Sequence, residues 1–180
     1  MLIRPDRSML LHIDLQERLL PAIDGGDAAL ANAIWLTRIA RRLAIPVGAT
    51  VQYPKGLGGT VAALDAVLAP AETVEKIHFS AVRDRRLEGL AGFERPQVVI
   101  TGTESHVCVL QTVLDLRAGG KEVFVVADAV GSRRAEDRTM AIARMRDAGT
   151  HIVTREMVAF EWLEKAGTEV FREISREFLR

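Results

Sequence analysis

Short apolar runs alternate with longer segments of helical periodicity along the whole chain, and this alternation restricts the possible folds more than any other feature. Strands are predicted at 9–15, 46–53, 73–79, 95–102, 121–130 and 150–154. Helices are predicted at 28–44, 105–120, 134–149, 156–165 and 168–179. Repeated β-α-β units indicate an α/β fold with a mostly parallel sheet, covered by helices on both faces and joined by right-handed crossovers. No linker or internal repeat divides the sequence, so residues 1–180 are expected to form one domain.

The composition favours a globular protein that acts on a small molecule. Hydrophobic residues make up 48% of the chain, and 24 basic side chains balance 24 acidic ones, so no net charge attracts nucleic acid or an anionic membrane. The N-terminal MLIRPDRSMLLHIDL lacks the pattern of a signal peptide, and no apolar run reaches the roughly 18 residues of a membrane span. We therefore expect a cytoplasmic protein with a reduced cysteine, a small-molecule substrate, and neither a nucleic-acid nor a membrane partner.

Three reactive side chains are placed at the carboxyl ends of predicted strands. Asp14 ends the first strand, Lys76 lies towards the end of the third, and Cys108 follows the fourth after a short turn. Ligands of open α/β sheets bind beyond these strand ends, so an acid, a base and a thiol are expected at one edge. With strand order 3-2-1-4, strands one and three lie about 10 Å apart, a gap that the lysine stem must largely cover.

Each of these residues also has a purely structural interpretation. Cys108, the only cysteine, could be a small buried hydrophobe. Its place in the first turn of a helix, with Ser105 available as N-cap, instead predicts a lowered thiol pKa. Asp14 could begin a turn, and Lys76 could be a solvated surface lysine.

Metal and nucleotide sites are poorly supported by the sequence. His12 and Asp14 share a strand face, but no third ligand follows at a suitable spacing, and His78 and His151 form no HExxH pattern. The turn after the first strand, DLQERLLPA, does not match GxGxxG, and KGLGGT does not match a phosphate-binding loop. No cofactor and no metal are expected.

Taken together, the segments HIDLQERL, VEKIHFS and TGTESHVCVLQTVLDL resemble the sites of the isochorismatase-like cysteine hydrolases. The similarity continues through VQYPKGLGGTV, FVVADAVGSRRAEDRTMAIARMRDAG and EMVAFEWLEKAGTEVF, which is nearly the whole chain. The last three stretches are more similar to the isochorismatase-domain-containing hydrolases than to the nicotinamidases.

The resemblance implies a three-layer α/β/α sandwich with a six-stranded, mostly parallel sheet of order 3-2-1-4-5-6. It also implies a catalytic triad, in which Asp14 takes the thiol proton, Lys76 holds Asp14, and the Cys108 thiolate attacks a carbonyl carbon. In this family a non-proline cis peptide precedes the cysteine turn, which here corresponds to the bond from Thr103 to Glu104. The backbone N–H groups of Glu104 and Cys108 would then form an oxyanion hole.

Departures from two branches of the family narrow the expected reaction. Nicotinamidases carry a metal-binding DxH and further histidines after the second strand, whereas TVQYPKGLGG contains none, so nicotinamide is a weak substrate candidate. True isochorismatases cleave a vinyl ether and have a small residue in place of Cys108. We therefore expect hydrolysis of a small amide or related C–N bond. Because a carboxylate near Cys108 would oppose thiolate formation, the Glu104 side chain is expected to point away.

Residues near the same strand ends are the candidates for substrate binding. They are Gln16, Leu20, Gln52, Tyr53, Phe79, Ser80, His106 and Val107. Gln16 could equally be a turn residue, and Phe79 could belong to the core.

Two other functions and an assembly prediction stay open. The chain could be a thiol redox or stress protein in which Cys108 is reversibly oxidised, although no second cysteine is present to resolve the sulfenic acid. It could also be a family member without activity. A homo-oligomer is predicted because the C-terminal segment is rich in apolar side chains, which could otherwise pack on the chain's own sheet. They are Phe160, Trp162, Leu163, Val170, Phe171 and Ile174.

Overall fold

The computed structural model describes residues 1–179, which form a parallel sheet of six strands between two layers of helices. The strands are β1 (Ser8–Ile13), β2 (Val47–Gln52), β3 (Thr73–Lys76), β4 (Gln97–Thr103), β5 (Glu122–Gly131) and β6 (His151–Val153). Their order across the sheet is β3-β2-β1-β4-β5-β6, and every neighbouring pair is parallel. The predicted fold class and strand order are confirmed.

Five longer helices cover the sheet, and two short ones follow β2. The helices are α1 (Gly26–Arg42), α2 (Pro54–Leu57), α3 (Ala62–Asp65), α4 (Leu110–Ala118), α5 (Ala135–Asp147), α6 (Arg155–Leu163) and α7 (Glu169–Phe178). A π-helical turn over Ser105–Val109 joins β4 to α4. Within residues 1–179, no helix combines the length and apolar character needed to cross a bilayer.

The central strands are apolar because the helix layers bury both of their faces. Every residue of β1 and β4 is buried. Along β1, Met9 and Leu11 pack into the core on one face of the sheet, while Leu10 packs into the core on the other face. This alternation is the two-residue period of a strand. Cys108, from the turn after β4, packs in the same core as Met9 and Leu11.

β1 and β4 approach closely where they deliver the candidate site. Gly102 has φ 126°, and a Cβ atom there would lie 2.1 Å from the Ile13 carbonyl oxygen. Only glycine fits both this backbone conformation and this spacing. The chain after Gly102 can therefore turn across the end of β1, directly beside Asp14.

The C-terminal helices bury most of the apolar surface from which assembly is predicted. Trp162, Leu163 and Ile174 are buried in the core on the α1 side, and the Trp162 indole N–H donates to Ser8 Oγ at 2.9 Å. Phe160 is 50% exposed. The packing alternative thus accounts for most of these side chains, and the homo-oligomer stays a prediction.

A neutral histidine lies inside the sheet below the site. His12 is fully buried, with Nδ1 2.6 Å from Thr101 Oγ1 and Nε2 2.8 Å from Thr37 Oγ1. Thr37 Oγ1 donates its own proton to the Ala33 carbonyl, so it accepts from Nε2–H, and Nδ1 accepts from Thr101. Burial, aided by the charge of Arg41, lowers the pKa of His12 to about 3.

Acid sensitivity follows from this buried histidine. Because the pKa of His12 rises from about 3 in the folded chain to its ordinary 6.5 on unfolding, the unfolded state binds the extra proton between these values. The contribution of His12 to stability is therefore complete above pH 6.5 and decreases as the pH falls, by up to about 1.4 kcal/mol per pH unit. Urea unfolding of His12→Gln between pH 4 and 6 should show a shallower pH dependence than the parent. An unchanged slope would assign the acid sensitivity to other groups.

Candidate active site

A buried ion pair lies at the carboxyl edge of the sheet. Lys76 Nζ is 2.7 Å from Asp14 Oδ2, and both side chains are at most 1% exposed. Lys76 is the last residue of the edge strand β3, and its stem crosses the end of β2 to reach Asp14 after β1. The alternative of a solvated surface lysine is wrong.

β2 supplies the polar groups that hold this pair. Thr50 Oγ1 donates to Asp14 Oδ1 at 2.7 Å, and Lys76 Nζ donates to Gln52 Oε1 at 2.6 Å. Thr50 and Gln52 are two residues apart and so point to one face of the strand. Lys76 Nζ also donates to the Phe79 carbonyl at 3.1 Å. Buried charges need such partners, because an unpaired ion in this position would be strongly destabilising.

The backbone of Asp14 is held in an uncommon conformation. Its φ is 50°, its N–H donates to the Thr50 carbonyl at 3.1 Å, and its carbonyl accepts from Thr103 Oγ1 at 2.6 Å. A non-glycine residue with positive φ persists only where the surroundings determine it. These contacts from β2 and β4 fix the direction in which the carboxylate points.

Cys108 lies in the π-helical turn Ser105–Val109, the cysteine turn, and its thiol is under the electrostatic influence of the ion pair. The charges of the Asp14 carboxylate and the Lys76 ammonium group both act on the thiol, and Cys108 is 4% exposed. Burial, and after it the Asp14 charge, raise the pKa of Cys108 to about 12 against the opposing effect of Lys76. The resting cysteine is thus a thiol at neutral pH.

The expected lowering of the thiol pKa by the helix start is therefore wrong. Desolvation outweighs the helix dipole because the sulfur lies against the apolar core. Ser105 does not act as an N-cap either, since its hydroxyl donates to the Gly131 carbonyl at 2.9 Å. The structure instead places next to the thiol a carboxylate that can accept its proton.

The cis peptide implied by the family resemblance is not found. Residues 1–179 contain no cis peptide bond, so the bond from Thr103 to Glu104 is trans. The trans form is the more stable one for a non-proline bond. Glu104 continues the extended chain with φ −53° and ψ 111°, and its carbonyl accepts from the N–H groups of Val107 and Val109 at 3.0 and 3.2 Å. The chain enters the cysteine turn without the isomer.

Two of the predicted substrate-binding residues, Gln16 and Gln52, form hydrogen bonds within the protein instead. Gln16 Nε2 donates to the carbonyls of Gln52 and Gly58, and Gln16 Oε1 accepts from the Gln52 N–H, so its amide N–H groups are fully used. Gln52 Nε2 donates to the Ile77 carbonyl at 2.7 Å. Gln16 therefore connects the chain after β1 to the end of β2 and the loop that follows it, and Gln52 connects the end of β2 to the chain after β3.

The other predicted contacts differ in burial and packing. Leu20 packs in a separate cluster with Leu15 and Leu64, so a substrate contact from Leu20 is not supported. Ser80 is buried, and Tyr53 and Phe79 are each 52% exposed after β2 and β3.

His106 and Val107 lie in the cysteine turn and are partly buried. Val107 packs against the core that contains Cys108. Of the predicted substrate-binding residues, these two are the nearest to Cys108 in sequence.

Glu104 points away from the thiol, as expected, but its partner is one that sequence reasoning did not identify. Arg133, just after β5, donates from Nε and Nη2 to the two carboxylate oxygens at 2.9 and 3.1 Å. Thr50 was also missed. Thr50 could have been found as a polar residue in a buried strand. The pairing of Glu104 with Arg133 could not, because no local pattern links two residues 29 positions apart.

A metal centre finds no support in the geometry. Both ring nitrogens of His12 bind threonine hydroxyls, and the carboxylate of Asp14 binds Lys76 and Thr50. In the described part of the chain, no group of three or more His, Cys, Asp and Glu side chains is arranged to hold an ion.

Known proteins share this fold and much of this sequence. The structure of MAR1 ribonuclease from Caenorhabditis elegans superimposes with a TM-score of 0.88 at 35% identity, over 100% of this chain and 93% of that one. YcaC from Pseudomonas aeruginosa, in a structure with hexane-2,5-diol and covalent acrylamide, gives 0.89 at 25% identity, over 99% and 92%.

Sequence comparison gives the same grouping. Isochorismatase domain-containing protein 2A of Mus musculus is 36% identical over 97% of this chain and 84% of its own length. The family model of the isochorismatase domain matches residues 8–157. The chain therefore belongs to the isochorismatase family and has its hydrolase fold.

Proposed function

We propose that this protein is a cysteine hydrolase that cleaves an amide or related C–N bond of a small molecule through a thioester. The observation that carries the proposal is a buried ion pair, Lys76 with Asp14, whose two charges both act on one buried thiol. A thiol is a weak nucleophile until a neighbouring base removes its proton, and Asp14 is placed to be that base.

In the first half of the reaction, the Cys108 proton moves to Asp14 and the thiolate attacks the substrate carbonyl carbon. The net charge of the site does not change, because the negative charge moves from oxygen to sulfur while Lys76 remains beside both. Although the bond from Thr103 to Glu104 is trans, the N–H groups of Glu104 and Cys108 are still proposed to bind the oxyanion, each donor contributing roughly 3 kcal/mol. Asp14 then protonates the leaving amine, and the C–N bond breaks.

In the second half, Asp14 takes a proton from water, and the resulting hydroxide attacks the thioester. The C–S bond breaks, the acid product leaves, and the proton returns from Asp14 to sulfur. One water is consumed and no cofactor is needed. Lys76 stabilises whichever partner carries the negative charge at each step.

A small, partly apolar substrate fits the rim of the site better than RNA. Tyr53 and Phe79 present half-exposed rings beside strand ends that carry polar groups. One relative is named a ribonuclease, but the equal numbers of acidic and basic residues here provide no general attraction for a phosphate backbone.

The redox alternative is disfavoured by the state of the thiol. Cysteines that sense peroxide are accessible and have a low pKa. Cys108 is buried, and its pKa is raised to about 12. The covalent acrylamide in the related YcaC structure is consistent with a reactive nucleophile in this fold, since acrylamide adds readily to thiolates.

Opposite shifts of thiol reactivity are expected when the two charged partners of Cys108 are changed. In Asp14→Asn the thiolate becomes the counter-ion of Lys76, so the pH midpoint of iodoacetamide alkylation should fall by about one unit or more. In Lys76→Met the midpoint should rise. Circular dichroism checks that each variant is folded, because breaking a buried pair is destabilising. Shifts in the same direction would contradict the assigned electrostatics.

Substitutions at Cys108 and Asp14 should affect the rate of amide hydrolysis differently from the rate of thiol alkylation. Cys108→Ala should abolish hydrolysis of any small amide identified by screening. Asp14→Asn should lower kcat/KM by about 10²- to 10⁴-fold while its thiol alkylates more readily, because it retains an ionisable thiol but lacks the proton acceptor. Hydrolysis is followed by amine release, with RNA as a parallel substrate. Substantial turnover by Cys108→Ala, or RNA cleavage in place of amide cleavage, would refute the proposal.

A further inference from the structure

Three consecutive residues at the entrance to the cysteine turn contact three consecutive residues at the end of β5. Ser105 Oγ donates to the Gly131 carbonyl at 2.9 Å, and His106 Nδ1 is 3.1 Å from Ser132 Oγ. Backbone pairing of β4 with β5 ends at the position of Gly131. The side-chain contacts therefore extend the attachment of β5 into the turn that carries Cys108.

The third contact is the strongest of the set. Glu104 is 8% exposed and forms a two-bond ion pair with Arg133, whose own side chain is 59% exposed. The carbonyl of Glu104 also accepts from the N–H groups of Val107 and Val109 and so sets the start of the turn. One residue thus binds Arg133 through its side chain and shapes the cysteine turn through its backbone.

We propose that Arg133 is a positioning residue for the cysteine turn, holding Glu104 so that Cys108 and the Glu104 N–H keep their orientation towards the substrate. This inference rests on the proposed hydrolase function. The ion pair has a second effect, since it cancels the charge of a buried carboxylate four residues before the nucleophile. Arg133 acts through Glu104 and has no role in the chemical steps themselves.

The charged groups around Glu104 determine how a pH profile is interpreted. Besides Arg133, His106 Nε2 lies 3.6 Å from Glu104 Oε2 and 3.9 Å from Asp137 Oδ2. Asp14 and Lys76 are the charged groups at the thiol. A change in Arg133 leaves Asp14 and Lys76 in place. A shift in thiol reactivity must then come from the position of the turn or from the uncompensated charge of Glu104, which the double variant described next removes.

The test is the variant Arg133→Gln, which removes an exposed charge without opening the core. We expect kcat to fall roughly 10- to 100-fold with a smaller change in KM, because a displaced turn disturbs the transition state more than substrate binding. The pH midpoint of Cys108 alkylation should rise. The double variant Glu104→Gln with Arg133→Gln should recover the midpoint, and Arg133→Lys should recover it while restoring kcat only in part.

Arg42→Gln is the control, because Arg42 is about as exposed as Arg133 and also pairs with a glutamate, Glu177, on the far helices. It should leave kcat and alkylation unchanged. If Arg133→Gln lowers only the unfolding temperature, with parental kcat and alkylation profile, the contact is structural and the inference is wrong. If Cys108→Ala keeps its turnover, the hydrolase proposal itself fails, while alkylation still tests the positioning of the thiol.

Discussion

The buried ion pair between Asp14 and Lys76 is the interaction on which the rest of the site depends. Neither charge is stable inside the sheet edge without the other, and each also needs a neutral partner, Thr50 for the acid and Gln52 for the base. Adding the Cys108 thiol to this pair introduces no net charge. In the proposed mechanism, proton transfer from sulfur to oxygen would leave the net charge of the site unchanged and would need little rearrangement of the surrounding dipoles.

This arrangement explains why a parallel sheet with this strand order suits the site. Asp14, Lys76 and Cys108 come from three strands whose carboxyl ends share one edge. β2 lies between the acid and the base, and its alternating side chains supply a hydrogen bond to each. The lysine stem covers the distance across β2, and the close approach at Gly102 brings the cysteine turn over the end of β1.

Much of this layout could be predicted from the sequence, because it depends on periodicity and on where strands end. Six strands, their order and the positions of Asp14 and Cys108 followed from pattern and resemblance. The direction of the thiol pKa shift did not, because it depends on burial and on two opposite charges that act on the thiol together. The ion pair between Glu104 and Arg133 was also not predicted, because the two residues follow different strands and no local sequence pattern connects them.

A raised thiol pKa is compatible with a nucleophilic role once the base is part of the same structure. An exposed thiolate reacts with any electrophile or oxidant that reaches it, and this chain has no second cysteine to reverse the oxidation. The raised pKa keeps the buried thiol protonated, and in the proposed mechanism transfer of its proton to Asp14 is coupled to attack on a bound carbonyl. The proton acceptor, and not a low resting pKa, then limits reactivity to a correctly placed substrate. In such a site the geometry of the cysteine turn matters as much as its charge, because the transfer requires sulfur, carboxylate and carbonyl to align together.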